Sequence, residues 1–143
     1  MRTEHDEVAS RVLPLALNRV AARLNTETGQ ALAGTGLTLD QWRVLDVLAT
    51  TEGLAMSEIA AAAVITGPTL TRAVDRLVDR AYIYRNLDHT DRRRVLVRLS
   101  ERGAEVHREL ASRVADALAA SLRRLDAAEA AQLRMLLDRL AGG

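Results

Sequence analysis

Apolar residues recur on one helical face at the start of the chain, with arginine and glutamate side chains between them. This pattern predicts a long amphipathic helix over about residues 8–33. Pro14 interrupts the pattern, so it either lies in the first turn of the helix or kinks a longer one. The apolar face comprises Val8, Val12, Leu13, Leu17, Val20, Leu24 and Leu32.

A second helix follows a short break. Gly34 and Gly36 favour the end of the first helix. Thr38, followed three positions later by Gln41, predicts a capping box that begins the next helix, which runs to about residue 50. Trp42 lies on its apolar side, where a core or interface anchor is the commoner role for tryptophan than a ligand contact.

The central part of the chain is typical of two helices joined by a tight turn. A short helix is predicted over Ser57–Ala63, and Pro68 opens a longer one that ends near Arg80. Thr66 has the right position and chemistry for the cap of the longer helix. Its buried face is predicted at Leu70, Val74 and Leu77. Its outward residues are then Thr69, Thr71, Arg72, Asp75, Arg76 and Asp79.

A β-hairpin is predicted next. Short strands over Ile83–Leu87 and Arg94–Leu99 flank the polar loop 88–93, which is rich in arginine. Alternation along the second strand predicts Val95, Val97 and Leu99 on one face and Arg94, Leu96 and Arg98 on the other. Helix, turn, helix and hairpin in this order indicate a winged helix-turn-helix.

Two more helices complete the pattern. Ser100 is expected to cap a helix from Glu101 to about Leu125, and Asp126 with Glu129 to cap a last helix. Their apolar residues exceed what a small central module can cover, which predicts a homodimer built from the N- and C-terminal helices. These residues are Leu110, Val114, Leu118, Leu122, Leu133, Leu136, Leu137 and Leu140.

Length and composition narrow the classes of protein. A chain of 143 residues is expected to form one domain, with a DNA-binding lobe over about 37–100 and dimerisation helices over about 8–33 and 101–141. Cysteine is absent, which excludes disulfides and thiolate chemistry. No signal peptide or membrane span is readable, so a cytoplasmic protein is expected.

Charge is concentrated in one segment. The formal net charge is only +1, but residues 66–99 carry eight arginines and four aspartates, a balance of +4 that leaves −3 elsewhere. Positive charge on a helix and an adjacent hairpin suits the phosphates of double-stranded DNA. Aromatic residues make up only 2%, so base stacking on single-stranded nucleic acid is not expected.

Other functions are weighed against DNA binding. His5, His89 and His107 form no metal-binding spacing, and neither a phosphate loop nor a nucleophile motif is present, so no enzyme, metal or cofactor is expected. The alternative is a winged helix that contacts proteins instead of DNA. The segment charge of +4 and the outward Thr71 and Arg72 argue against it.

Three segments, residues 56–60, 66–77 and 91–103, resemble the MarR family of winged helix-turn-helix transcriptional regulators. The resemblance implies a mainly α fold with a small β-wing. It also implies a homodimeric, ligand-responsive regulator, expected to be a repressor, on a pseudo-palindromic operator. The implied DNA contacts are Thr66, Gly67, Thr69, Thr71, Arg72, Arg76, Asp91, Arg92, Arg93 and Arg94.

In the wing, the resemblance implies that Arg93 enters the minor groove and that Asp91 orients nearby arginines by ion pairing. The chain departs from the family pattern at Val64 and Ala81, where glycine is usual, and at Thr90, where arginine is common. We expect tighter or less strained turns at the first two positions.

Family members commonly respond to small aromatic or anionic ligands. By position, the candidate ligand-binding residues are Asn18, Arg19, Trp42 and Arg43. An arginine beside a tryptophan can hold a carboxylate against an apolar wall. The alternative is that these residues pair with acids across the dimer interface.

Overall fold

The computed structural model describes residues 4–142, apart from the side chains of Glu4, His5 and Val8. Within this range the fold is mainly helical with one small hairpin, as predicted. The elements are α1 (Glu4–Leu32), α2 (Leu39–Ala49), α3 (Met56–Ala63), α4 (Gly67–Asp79), β1 (Ile83–Leu87), β2 (Val95–Leu99), α5 (Glu101–Leu122) and α6 (Ala127–Leu140).

The chain divides into two compact units. The central unit is Ala31–Arg113, and the terminal unit combines Met1–Gln30 with Val114–Gly143 as far as these are described. The central unit contains α2, α3, α4, the hairpin and the start of α5. It therefore includes the whole segment in which a DNA-binding lobe was predicted.

The core of the central unit is aliphatic. α4 buries Leu70, Val74 and Leu77 as predicted, and Ala73 beside them. Burial of this stripe against α2 and α3 fixes which face of α4 is turned outward. The most completely buried side chains of the unit are Val44, Leu45, Leu48, Ile59, Leu70, Val74, Leu77, Ile83 and Val97.

The hairpin is antiparallel, with Ile83 opposite Leu99 and Leu87 opposite Val95. Leu96 and Val97, which the predicted alternation places on opposite faces of β2, are both buried. Neighbouring side chains point to opposite faces, so both faces of β2 are covered here. The backbone of Leu54 also pairs with Val97, through N–O distances of 3.1 and 2.8 Å, and extends the hairpin on one side.

Helix ends agree closely with the sequence signals. The capping boxes of Thr38 with Gln41 and of Asp126 with Glu129 are both formed, which confirms two predictions. α5 ends at Leu122, three residues before the predicted Leu125. Pro14 lies inside α1, so the alternative of a first-turn position is excluded.

In the terminal unit, an acidic side chain joins two helices. The Glu27 Oε1 atom of α1 accepts hydrogen bonds from Ser121 Oγ of α5 at 2.7 Å and from Arg23 Nε at 3.1 Å. These bonds, the one from Ser121 above all, hold the pKa of Glu27 below its usual value of 4.5. The other carboxylate oxygen of Glu27 is buried, and no described residue donates to it.

The terminal unit also carries an apolar groove of about 450 Å³. Its lining residues are Leu13, Leu17, Leu133, Leu136, Leu137, Arg139 and Leu140. The prediction that the C-terminal apolar residues need a partner is wrong for Leu110 and Val114, which the chain itself buries. Leu122 and the leucines of α6 stay exposed. Among the described residues, no helix is long and apolar enough to cross a membrane.

Candidate nucleic-acid interface

The N-terminal end of α4 leaves its backbone amides available. Thr66 occupies the cap position and Pro68 lies in the first turn, as predicted, but no side chain caps the helix. The Thr66 hydroxyl donates instead to the Thr69 hydroxyl, at 3.3 Å between oxygens. Uncapped amides and the helix dipole together favour an anion at this end.

The outward face of α4 exposes two arginines. Arg72 and Arg76 are exposed and follow each other by one helical turn. Thr71 is exposed beside them, and its hydroxyl donates to the Gly67 carbonyl at 3.0 Å. Because Leu70 and its neighbours fill the opposite face, both guanidinium groups are directed away from the core.

The wing loop is held by short-range hydrogen bonds. The amide and hydroxyl of Thr90 donate to Asp88 Oδ1 at 3.0 and 2.9 Å, and these bonds lower the pKa of Asp88. The Asp88 amide donates to the Arg94 carbonyl at 2.9 Å, which closes the base of the loop. Thr90 thus stabilises the turn of the wing loop.

Asp91 has a different role from the one implied by the resemblance. Its carboxylate accepts a hydrogen bond from the Arg93 amide at 3.1 Å, and its carbonyl accepts one from the Arg94 amide at 3.0 Å. No arginine side chain in the described part of the chain pairs with it. Asp91 therefore orients Arg93 through the backbone of the turn and not through an ion pair.

The arginines of segment 66–99 divide into two groups. In the first group, Arg85 pairs with Asp75 at 2.7 Å, and Arg94 pairs with Glu58 of α3, whose carboxylate also accepts from the Ala55 amide. Arg98 donates to Asn86 and to the Glu52 carbonyl. Arg80, the fourth member, donates to the Gly36 carbonyl.

The second group is exposed, and no described residue hydrogen-bonds to or pairs with its side chains: Arg72, Arg76, Arg92 and Arg93. The net charge of segment 66–99 does not show which of its arginines have protein partners. Three of the partner residues, Glu58, Glu52 and Gly36, lie outside the segment. Arg94 belongs to the first group, because its guanidinium pairs with Glu58 and so joins the wing to α3. It is also one of the residues predicted to contact DNA.

The turn before α4 and the turn after it each contain one residue with left-handed backbone angles. This corrects the expectation that these turns are tighter or less strained than usual. Val64 has a φ of 55° and Ala81 a φ of 58°. The turns keep the backbone that glycine would adopt, although neither residue is glycine. Such a φ is an outlier for a β-branched residue, so Val64 holds strain directly before the helix that carries Arg72.

The candidate ligand-binding residues fall in both units. Asn18 and Arg19 are exposed on α1 in the terminal unit. Trp42 is buried in the central unit, and its ring stacks on His107 with a centroid distance of 5.1 Å. His107 Nε2 lies 2.8 Å from Asp46 Oδ1. Sequence reasoning missed this trio, because α2 and α5 are far apart in the chain.

Arg43 has more than one partner. It pairs with Asp40 at 3.6 Å and makes a further interaction. It also lines a pocket of about 280 Å³ with Asp46, Val47, Ala62, Ala63 and Val64. Among the described residues, no cluster of histidine and carboxylate side chains could hold a metal ion.

Known proteins are similar to this chain in sequence and in fold. The MarR family model matches residues 35–94, which contain the described helix-turn-helix, β1 and the wing loop but not β2. The HTH-type transcriptional repressor Rv2887 of Mycobacterium tuberculosis is 29% identical over 124 residues, 87% of this chain and 89% of that protein. The chain is therefore similar in sequence to MarR-family transcriptional regulators, and it has a winged-helix fold.

Two solved structures have a similar fold. The crystal structure of CouR from Rhodococcus jostii RHA1, bound to p-coumaroyl-CoA, has a TM-score of 0.82 and 28% identity, and the match covers 92% of this chain and 93% of that one. NadR in complex with 4-hydroxyphenylacetate has a TM-score of 0.84 and 26% identity, with coverage of 99% and 96%. The similarity to these two structures therefore extends beyond the central unit.

Proposed function

We propose that this chain is a homodimeric repressor that binds a pseudo-palindromic DNA operator and is released from it by a small molecule. The observation that carries the proposal is the set of exposed arginines without a protein partner, Arg72 and Arg76 on α4 and Arg92 and Arg93 on the wing. Exposed guanidinium groups on two neighbouring elements suit contact with the phosphates and grooves of one duplex.

Each element has its own part in this proposal. The uncapped start of α4, at Thr66 and Gly67, receives a phosphate, and Thr69, Thr71, Arg72 and Arg76 lie against the major groove. Arg93 enters the adjacent minor groove, because Asp91 holds the backbone of its turn. Arg92 contacts a phosphate, and Arg94 holds the wing against α3 through Glu58.

A second copy of the chain would cover the apolar groove of the terminal unit. The exposed leucines that line this groove are unfavourable in water, and they could pack against the same surface of a second copy in a symmetric dimer. A twofold dimer presents two recognition helices to half-sites that lie roughly 34 Å apart on B-DNA. A monomer, with a single α4, could not select DNA by the spacing of its half-sites.

The proposed effector is a small aromatic acid or its thioester. CouR and NadR, which share the fold and a quarter or more of the sequence, were solved with p-coumaroyl-CoA and 4-hydroxyphenylacetate. The residues proposed to bind it form two separate candidate sets, Asn18 and Arg19 in the terminal unit, and Trp42 and Arg43 in the central unit. A ligand of this kind releases DNA only if it binds more tightly to a conformation in which the half-site spacing is wrong.

The first experiment measures the affinity of the chain for DNA upstream of its own gene at several salt concentrations. Arg93→Ala is expected to weaken binding and to lower the slope of log affinity against log salt by about one unit, because one phosphate-neutralising cation is lost. Arg108→Ala is the matched control, since Arg108 is an exposed arginine on α5. It should leave both affinity and slope unchanged.

Two outcomes would count against this proposal. If the unchanged protein has no salt-dependent affinity for that DNA, the winged helix is a protein-interaction module. If it binds but Arg93→Ala behaves like Arg108→Ala, the wing does not contact DNA. The effector is tested separately, by adding 4-hydroxyphenylacetate or p-coumaroyl-CoA to the preformed complex and measuring release.

A further inference from the structure

Arg80 joins the C-terminal end of α4 to a distant loop. It is the cap residue of α4, and its Nη1 donates to the Gly36 carbonyl at 2.9 Å. Its Nη2 donates to the Tyr82 hydroxyl at 3.1 Å, and its guanidinium lies 4.8 Å from the centre of that ring. Gly36 has a φ of +74°, and a Cβ there would lie 3.4 Å from Nη1 of Arg80. The loop between α1 and α2 thus fits closely around Arg80.

The same end of α4 is also joined to the start of α5. The Ser100 hydroxyl donates to the Ala81 carbonyl at 2.7 Å and accepts from the Gly103 amide at 2.9 Å. The Ser100 amide donates to the Tyr82 carbonyl at 3.0 Å. A Cβ at Gly103 would lie only 1.9 Å from the Tyr82 carbonyl oxygen, so glycine is required for this approach.

We call Gly36, Arg80, Tyr82, Ser100 and Gly103 the α4 anchor. It lies at the opposite end of α4 from Thr66 and Gly67. α4 has 13 residues and is therefore about 20 Å long, so a small tilt at the anchor displaces the other end by a larger distance. Both terminal nitrogens of Arg80 donate to protein acceptors, unlike those of Arg72 and Arg76.

We propose that Arg80 is a positioning residue: it sets the tilt of α4 through Gly36 and Tyr82 and increases operator affinity without contacting DNA. This inference rests on the proposed function. It distinguishes Arg80 from Arg72 and Arg76, the exposed arginines of α4, by the expected effect on salt dependence. A phosphate contact contributes to the salt slope, whereas a positioning residue does not.

The test compares Arg80→Met with Arg72→Met. Methionine keeps an apolar stem and removes the guanidinium in both variants. Arg80→Met is expected to weaken operator binding roughly tenfold with the salt slope unchanged, because the tilt of α4 is then less well fixed. Arg72→Met should weaken binding and lower the slope by about one unit.

A second readout uses the free protein. Amide hydrogen exchange in Arg80→Met should become faster near residues 35–37 and 80–82, because the bond to the Gly36 carbonyl is lost. If Arg80→Met does not fold, Arg80→Lys replaces it. Lysine keeps the charge but cannot span both acceptors as the planar guanidinium does, so faster exchange and weaker binding are expected again.

The outcomes separate this inference from the function on which it rests. If the unchanged protein binds DNA and Arg80→Met either keeps full affinity or loses one unit of slope, the positioning role is refuted and the proposed function stands. If the unchanged protein binds no DNA, both are refuted. Unchanged exchange in Arg80→Met would refute the anchor whatever the DNA result.

Discussion

Val64 is the residue whose backbone least suits its side chain. Its φ of 55° is left-handed, and its side chain is 84% exposed, so little packing offsets the strain. We predict that Val64→Gly raises the free energy of unfolding by about 1 kcal/mol, because relief of the strain exceeds the extra freedom that glycine gives the unfolded chain. Denaturation with urea measures the change.

The matched control for Val64→Gly is Ala61→Gly, at an exposed position inside α3. The free energy of unfolding of this control should fall by about 0.5–1 kcal/mol, because glycine in a helix interior relieves no backbone strain. An equal decrease in the free energy of unfolding of both variants would show that the backbone of Val64 is not strained. The residue types at positions 64 and 81 could be seen in the sequence, but the φ angles could not, since the turns and not the side chains impose them.

At the level of elements, Glu27 links α1 to α5 through Ser121. A carboxyl group whose pKa is lowered on folding stabilises the protein above its usual pKa, and this stabilisation is lost as the pH falls through the folded value. We therefore predict that the free energy of unfolding falls as the pH drops below 4.5, and that the fall is smaller in Ser121→Ala. Urea denaturation over a pH series measures both slopes.

Ser112→Ala serves as the control for Ser121→Ala, since Ser112 is an exposed serine of the same helix. Its acid dependence should equal that of the unchanged protein. If Ser121→Ala also keeps the full acid dependence, the hydrogen bond to Glu27 does not set the stability of this contact.

Features that depend on residues close together in the sequence could be predicted, whereas contacts between residues far apart in the sequence could not. The capping boxes of α2 and α6 depend on residues three positions apart, and both predictions are confirmed. The burial of Leu96 was missed, because alternation along one strand carries no information about what covers its other face. The pairing of Arg94 with Glu58, 36 positions away, left no trace in the local pattern.

At the level of the whole molecule, the apolar groove of the terminal unit is where a second copy is proposed to bind. We predict that Leu136→Glu gives a monomer and weakens operator binding at least about tenfold, because a buried charge disfavours the contact and each half-site then binds alone. Sedimentation measures the oligomeric state, and a DNA titration measures affinity.

Met135→Glu is the control for the groove, since Met135 is 58% exposed on the same helix but does not line the groove. It should leave the oligomeric state unchanged. A Leu136→Glu protein that remains a dimer would place the interface elsewhere. The sequence predicted a surplus of apolar surface on the terminal helices, but it could not show that Leu110 and Val114 are already covered within one chain.

The stacking of Trp42 on His107 gives the molecule an intrinsic optical label. Trp42, Tyr82 and Tyr84 are the aromatic residues of the chain, and all three belong to the central unit. Intrinsic fluorescence therefore reports only on the central unit, whereas far-ultraviolet circular dichroism reports on helices of both units. Coincident melting curves from the two signals would mean that the units unfold together, and separate curves would assign each transition to its unit without any engineered probe.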